Sequence, residues 1–240
     1  MWSEAFKLAL FEWKIMWIKR IFIQLLTLLV LILFISSLIG SQLEDGGIGI
    51  DIFLITFLAF GYAWSIPKDF QYQKISEQTY ASPVFFMLHQ LPIKNEVLIR
   101  SRFAIFYINL IPMSVIIFTL LYFIPDFNGI FTFESYIAFA LFWSSIGFSC
   151  SAIYPASDVG DRNVSTVRLI WITIFFIGAL LLITIPTYIF YDNGLINLSV
   201  EIANLHPLAL SIFSLILIPV SNWIWIKYAE NKLLKEDFDI

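Results

Sequence analysis

Charged side chains cut this chain into long uncharged intervals: residues 21–43, 52–67, 103–125, 135–157, 169–191 and 202–226 contain no Asp, Glu, Lys or Arg. A helix needs about 20 apolar residues to cross about 30 Å of hydrocarbon, so five of the intervals qualify outright. The second is short and needs Ile48 to Ile50 added to it. The pattern predicts an all-α integral membrane protein, one domain over residues 1–240, with six transmembrane helices at about 21–43, 48–67, 103–125, 135–157, 169–191 and 206–226. Pro112, Pro186 and Pro219 fall inside the third, fifth and sixth. They are hinges or simply shape, since proline in a membrane helix is tolerated where neighbours compensate for the lost hydrogen bond.

Outside the spans, polar residues are distributed unevenly. The fourteen Lys and Arg residues occupy four stretches only: Lys7 to Arg20, Lys68 to Arg102, Arg162 and Arg168, and Lys227 to Lys235. The alternating segments hold Glu44, Asp45, Asp51, Asp126, Glu134, Asp192 and Glu201 without one base. Because translocation disfavours Lys and Arg near span ends, this alternation predicts both termini on the cytoplasmic side of the cell membrane. Composition agrees: 60% hydrophobic residues, 13% charged, and a mean hydropathy of +0.85.

Before the first span, Trp2, Phe6, Leu10, Trp13 and Trp17 recur at three- and four-residue spacing, flanked by Lys7 and Lys14. That stripe predicts an amphipathic elbow helix over 1–20 in the headgroup layer; the alternative is a plain basic flank. Leu8, Phe11 and Ile15 opposite it predict contact with both lipid and protein. With two acids and four bases ahead of a run long enough to span, the first helix is expected to remain as an anchor.

Candidate chemistry is sparse. Cys150 is a lone cysteine, His89 and His206 lie at opposite ends of the predicted topology, and the usual zinc, hydrolase and nucleotide motifs are absent. No metal, cofactor or nucleic-acid site is expected on the chain. No ionisable group lies deep in a span, which argues against an ion-coupled carrier.

The segment 67–102 is the longest interval between predicted spans, about 36 residues, and long ordered loops tend to carry function. Ser82-Pro83 predicts a helix start followed by Val84, Met87, Leu88 and Leu91 at helical spacing, with a break at Pro92. The shorter segment 156–167 predicts only a turn.

Three features give a family resemblance. Phe11-Glu12-Trp13-Lys14 is similar to the aromatic-acid-aromatic-base runs of the elbow helix in permease subunits of ABC-2 type exporters. Leu91-Pro92-Ile93-Lys94-Asn95-Glu96-Val97-Leu98-Ile99-Arg100 resembles the segment after their second span, with Lys94 where Ser or Thr is common. Asn204-Leu205-His206-Pro207-Leu208 resembles the start of their last span.

The resemblance implies a coupling helix between the second and third spans, docked on a cytoplasmic ABC ATPase present in two copies, and small external helices within 192–205 between the last two spans. Leu91, Pro92, Ile93, Glu96, Val97 and Leu98 form the expected docking surface, with Lys94, Arg100 and Arg102 near lipid phosphates or the partner. It further implies a second permease subunit, identical or related, with ATP and Mg on the ATPase and none on this chain. The cargo would be a hydrophobic or amphipathic peptide, lipid or antibiotic. Ser144, Ser145, Ser149 and Ser151 either line the translocation path or let helices pack closely. The competing functions are a stand-alone intramembrane enzyme, which would need converging catalytic groups, and a non-transporting immunity or sensor protein.

Overall fold

The computed structural model describes residues 1–45, 48–64, 66, 70, 71, 73, 74, 79–125, 129–158, 161, 162, 166–191 and 194–235. In chain order the helices are α1 (Trp2–Asp45), α2 (Ile48–Trp64), α3 (Pro83–His89), α4 (Asn95–Tyr122), α5 (Phe133–Ser151), α6 (Ile153–Ser157), α7 (Thr166–Tyr191), α8 (Gly194–Leu205) and α9 (Pro207–Lys235). Among the described residues, four helical stretches are long and apolar enough to cross a bilayer: Asn95–Tyr122, Phe133–Ser157, Thr173–Phe190 and Pro207–Leu233. A fifth is the pair Trp2–Ile15 and Arg20–Leu33, if these two parts of α1, which meet at 82°, count as one span. The predicted span 48–67 coincides with the shorter α2, whose 17 residues rise about 26 Å. The three expected prolines all lie inside assigned helices.

The third and sixth predicted spans are longer than their uncharged intervals. α4 begins at Asn95 and α9 runs to Lys235. Charges bounded the sequence intervals, but charged residues such as Glu96, Arg100 and Lys227 continue a helix readily once it leaves the hydrocarbon.

All four base-bearing stretches meet at one end. Glu12 pairs with Arg102, and Arg100 with Glu230. Strands β1 (Gln73–Lys74), β2 (Thr79–Ala81) and β3 (Asp161–Arg162) form an antiparallel sheet in which Tyr80 lies opposite both Lys74 and Asp161. The segment 156–167 is therefore more than the expected turn. Its partner lies some 80 residues upstream, roughly as the strand numbers give, so no local periodicity announces it.

At the opposite, base-free end, α8 confirms the helix expected within 192–205. It starts at Gly194 in the left-handed region, φ 74°, where glycine carries no Cβ penalty. Asp51 of α2, fully buried, accepts the Leu195 and Ile196 N–H groups at 2.6 and 3.0 Å. A carboxylate from another helix thus satisfies two of the orphan donors of a helix start. Ile196, Ser199, Val200 and Ala203 turn α8 inward at helical spacing, and the Trp143 indole N–H donates to the Ser199 hydroxyl at 3.0 Å.

The interior divides into two main clusters. One gathers Phe118, Tyr136, Phe139 and Trp143 with Leu54 and Leu58 of α2 and Ile196 of α8. The other, toward the base-rich end, gathers Phe85, Leu98, Phe103, Phe106 and Phe148 with Ala229 and Leu233 of α9. Trp64, Trp171 and Trp223 are exposed near base-rich span ends, as an aromatic belt requires. Trp225 instead donates to the Ser149 carbonyl at 3.0 Å.

Candidate functional site at the base-rich end

The segment joining α2 to α4 contains the expected helix at its expected start. Ser82 is extended and buried, Pro83 occupies the first helical position, and α3 ends at His89, whose ring stacks on buried Phe85. The chain then turns tightly around Pro92, with the Ile93 N–H donating to the Leu91 carbonyl at 2.7 Å, an i→i+2 closure. Lys94 caps α4 with extended backbone, and its carbonyl accepts from Val97 and Leu98. Glu96 sits in the first turn, where the helix dipole favours an acid.

The six expected docking residues do not share one face. Leu91, Pro92 and Glu96 are exposed and Ile93 is half-buried, while Val97 and Leu98 pack inward. The accessible surface is the turn 91–96; the two aliphatics after it tie that turn to the core.

Above the turn lies a buried charge network that the sequence did not disclose. Arg102 pairs with Glu12 of α1, both side chains almost wholly buried. The expected position of Arg102 near lipid phosphates is thus corrected: an acid from α1 reaches it first. Glu12 Oε2 and Arg102 Nε meet no hydrogen-bond partner among the described residues. Arg20, also buried, lies over the Phe70 ring at 5.9 Å. Arg20, Arg102, Tyr62 and Asp158 line one small polar cavity, bringing α1, α2, α4 and the end of α6 together. Burial pushes the Asp158 carboxyl up to about 7; Arg102 and Arg20 oppose that shift and Glu12 adds to it.

Arg100, mostly buried, is held from three sides. It lies 3.8 Å from Glu96, 3.7 Å from Glu230 of α9, and over the Trp2 ring at 5.8 Å. Two arginines two residues apart, and so on roughly opposite sides of the helix, therefore fasten the start of α4 to α1 and to α9.

Compared with protein families, curated proteins and solved structures, the chain matches none.

The close seating of α1 on α4 rests on small residues. Ala5 and Ala9 are fully buried, and Ala9 packs with Ala104 and Ile105, since small side chains let backbones approach. The protein-facing side of the first part of α1 is therefore Ala5, Ala9 and Glu12, spaced four and three residues apart. The aromatic stripe faces largely outward: Trp2, Phe6, Leu10 and Trp17 are all exposed, and Trp13 is half-buried. Glu12 was legible as an acid between two aromatics; its role needed a partner 90 residues away.

The four candidate path serines diverge. Ser145 donates to the Phe142 carbonyl of its own helix, Ser149 to the Ser221 hydroxyl of α9, and Ser151 to the Leu58 carbonyl of α2. Ser144 lines a large cavity between α4 and α5. His89 ends α3, whereas His206 immediately precedes α9 at the other end of the molecule. Among the described residues, no cluster of three or more His, Cys, Asp or Glu side chains is placed to hold a metal.

Proposed function

We propose that this chain is the permease subunit of an ABC-2 type exporter in the cell membrane. It crosses six times with both termini cytoplasmic, pairs with a second permease, and takes its work from two ABC ATPase subunits that bind ATP and Mg. Hydrophobic or amphipathic cargo moves outward. The observation that carries this reading is the continuity of the exposed 91–96 turn with α4. Twenty-eight residues of helix rise about 42 Å, roughly 12 Å more than the hydrocarbon needs. A push on the turn therefore acts directly on a membrane helix, and through Arg100 and Arg102 on α9 and α1.

Two further features support it. The 82° bend in α1 suits a first part lying in the headgroup plane, its exposed tryptophans at that level. Helix α8, capped by Asp51, closes the base-free end between the last two spans.

Tagged chain purified from native membranes should bring down an ATPase subunit. The pair Leu91→Ala with Glu96→Lys should leave the complex hydrolysing ATP but uncouple hydrolysis from transport. Survival of assembly and transport after deletion of residues 84–98 would defeat the proposal.

A further inference from the structure

Between α4 and α5 lies an open cavity of about 450 Å³, within the size range of small-molecule sites. It runs along α4 from Ile111 to Phe123 and along α5 from Phe133 to Phe148. Twelve residues of helix advance about 18 Å, close to the roughly 15 Å of one leaflet's hydrocarbon. The lining is apolar apart from a few hydroxyls, among them Thr119 and Ser144. Val115 on its flank is 60% exposed, so in a membrane the groove opens sideways to acyl chains. Its length and opening suit a single extended tail rather than a globular ligand.

Charge at the mouth decides the head group. Phe123 and Phe133 form the rim at the base-free end, both highly exposed, and Glu134 beside Phe133 is exposed too. The three connecting segments at this end carry seven acids and not one Lys or Arg. Asp51 is taken up by the amides of α8, while Glu134 and Glu201 at this end are exposed. An anionic head would be repelled there and a cationic one attracted.

We propose that this groove binds a single-tailed cationic amphiphile, its tail between α4 and α5 and its head beside Glu134. As a binding site it stands on the cavity and the charge pattern; as a statement about cargo it rests on the exporter reading.

The test uses the full chain in nanodiscs and two photoreactive probes with the same diazirine-bearing tail, one with a quaternary ammonium head and one with a sulfate head. Mass spectrometry should find the ammonium probe on the 111–123 and 133–144 segments several-fold more than the sulfate probe. Thr119→Trp, at an exposed lining position, should remove most of that labelling, and Ala140→Phe should act the same way. Ile183→Trp, an equally bulky change on exposed α7 outside the groove, should not. Glu134→Gln should reduce the preference for ammonium by up to about fivefold, the scale of a partly exposed ion pair.

Equal labelling by the two probes, or labelling indifferent to both groove-filling variants, overturns the proposal. So does crosslinking of these segments to a second copy of the chain in place of the probe. Groove labelling without ATP-driven loss of the ammonium probe from vesicles holding the ATPase complex would sink the exporter reading and leave the site standing.

Discussion

The two ends of the molecule bury charge in different ways. At the base-rich end, charge meets charge between side chains on separate helices: Glu12 with Arg102, and Arg100 with Glu96 and Glu230. At the base-free end, the buried Asp51 meets no cation among the described residues; two backbone amides of α8 receive it. Long side chains can exchange partners as helices shift, whereas an amide pair at a helix start fixes one geometry. At the first end Arg100 already has two acids within reach, whereas the second has a single fixed pairing.

The sharpest way to break that contrast is to remove one partner of the buried ion pair. Arg102→Ala strands Glu12 in a site almost closed to solvent and should cost about 3–5 kcal/mol, with a large drop in the thermal midpoint in detergent. The double change Glu12→Leu with Arg102→Met removes both charges at similar volume and should return stability to within about 1 kcal/mol. If the restored protein folds, the exporter reading expects it still to lose coupling between ATP hydrolysis and transport. Full coupling in the apolar pair would show that the charges serve folding alone.

At the other end Asp51→Ala deletes two hydrogen bonds to a charged acceptor and leaves the Leu195 and Ile196 amides without it. A loss of about 2–4 kcal/mol follows, toward the lower figure because freed amides at a helix start can reach water. Hydrogen exchange should quicken across residues 194–205 before it changes in α4. Asp51→Asn keeps one acceptor and should fall between. Uniform exchange throughout the chain would contradict a local cap.

How much of this was legible in the sequence follows from where each signal sits along the chain. Uncharged intervals located the long helices because insertion penalises charge residue by residue, and Ser82-Pro83 located α3 because a helix start is a local motif. The 91–96 turn was visible for the same reason. The Glu12–Arg102 pair, the Asp51 cap and the β2–β3 pairing were not, since each joins positions tens of residues apart and neither partner is unusual alone. Arg102 illustrates the limit. A base beside a span is expected at any inner boundary, and only the seating of Ala9 against Ala104 and Ile105 of α4 brings Glu12 within its reach.

A smaller effect tests the neighbourhood of the same pair by pH. Asp158 is held up to about 7, chiefly by burial, with Arg102, Arg20 and Glu12 acting on it. Its unfolded value is near 4, so the native state binds the extra proton between these limits. Stability should therefore fall as pH rises through that window, by roughly 1 kcal/mol between pH 5 and 7, since the side chain still meets some solvent. Asp158→Asn should flatten this slope relative to the unaltered protein. An unchanged slope would remove Asp158 from the network.

The smallest change in stability belongs to Glu96. It is exposed and lies 3.8 Å from Arg100, and such a surface pair is worth about 0.5 kcal/mol or less. Glu96→Lys should thus leave the thermal midpoint nearly where it was, and Arg100 retains Glu230 and the Trp2 ring. That near-silence makes the variant useful. If ATPase binding or coupled transport collapses in a chain that is otherwise as stable as before, the exposed turn is an interface, and the network above it is what the interface drives. If both persist, Glu96 is only the solvated first turn of a long helix.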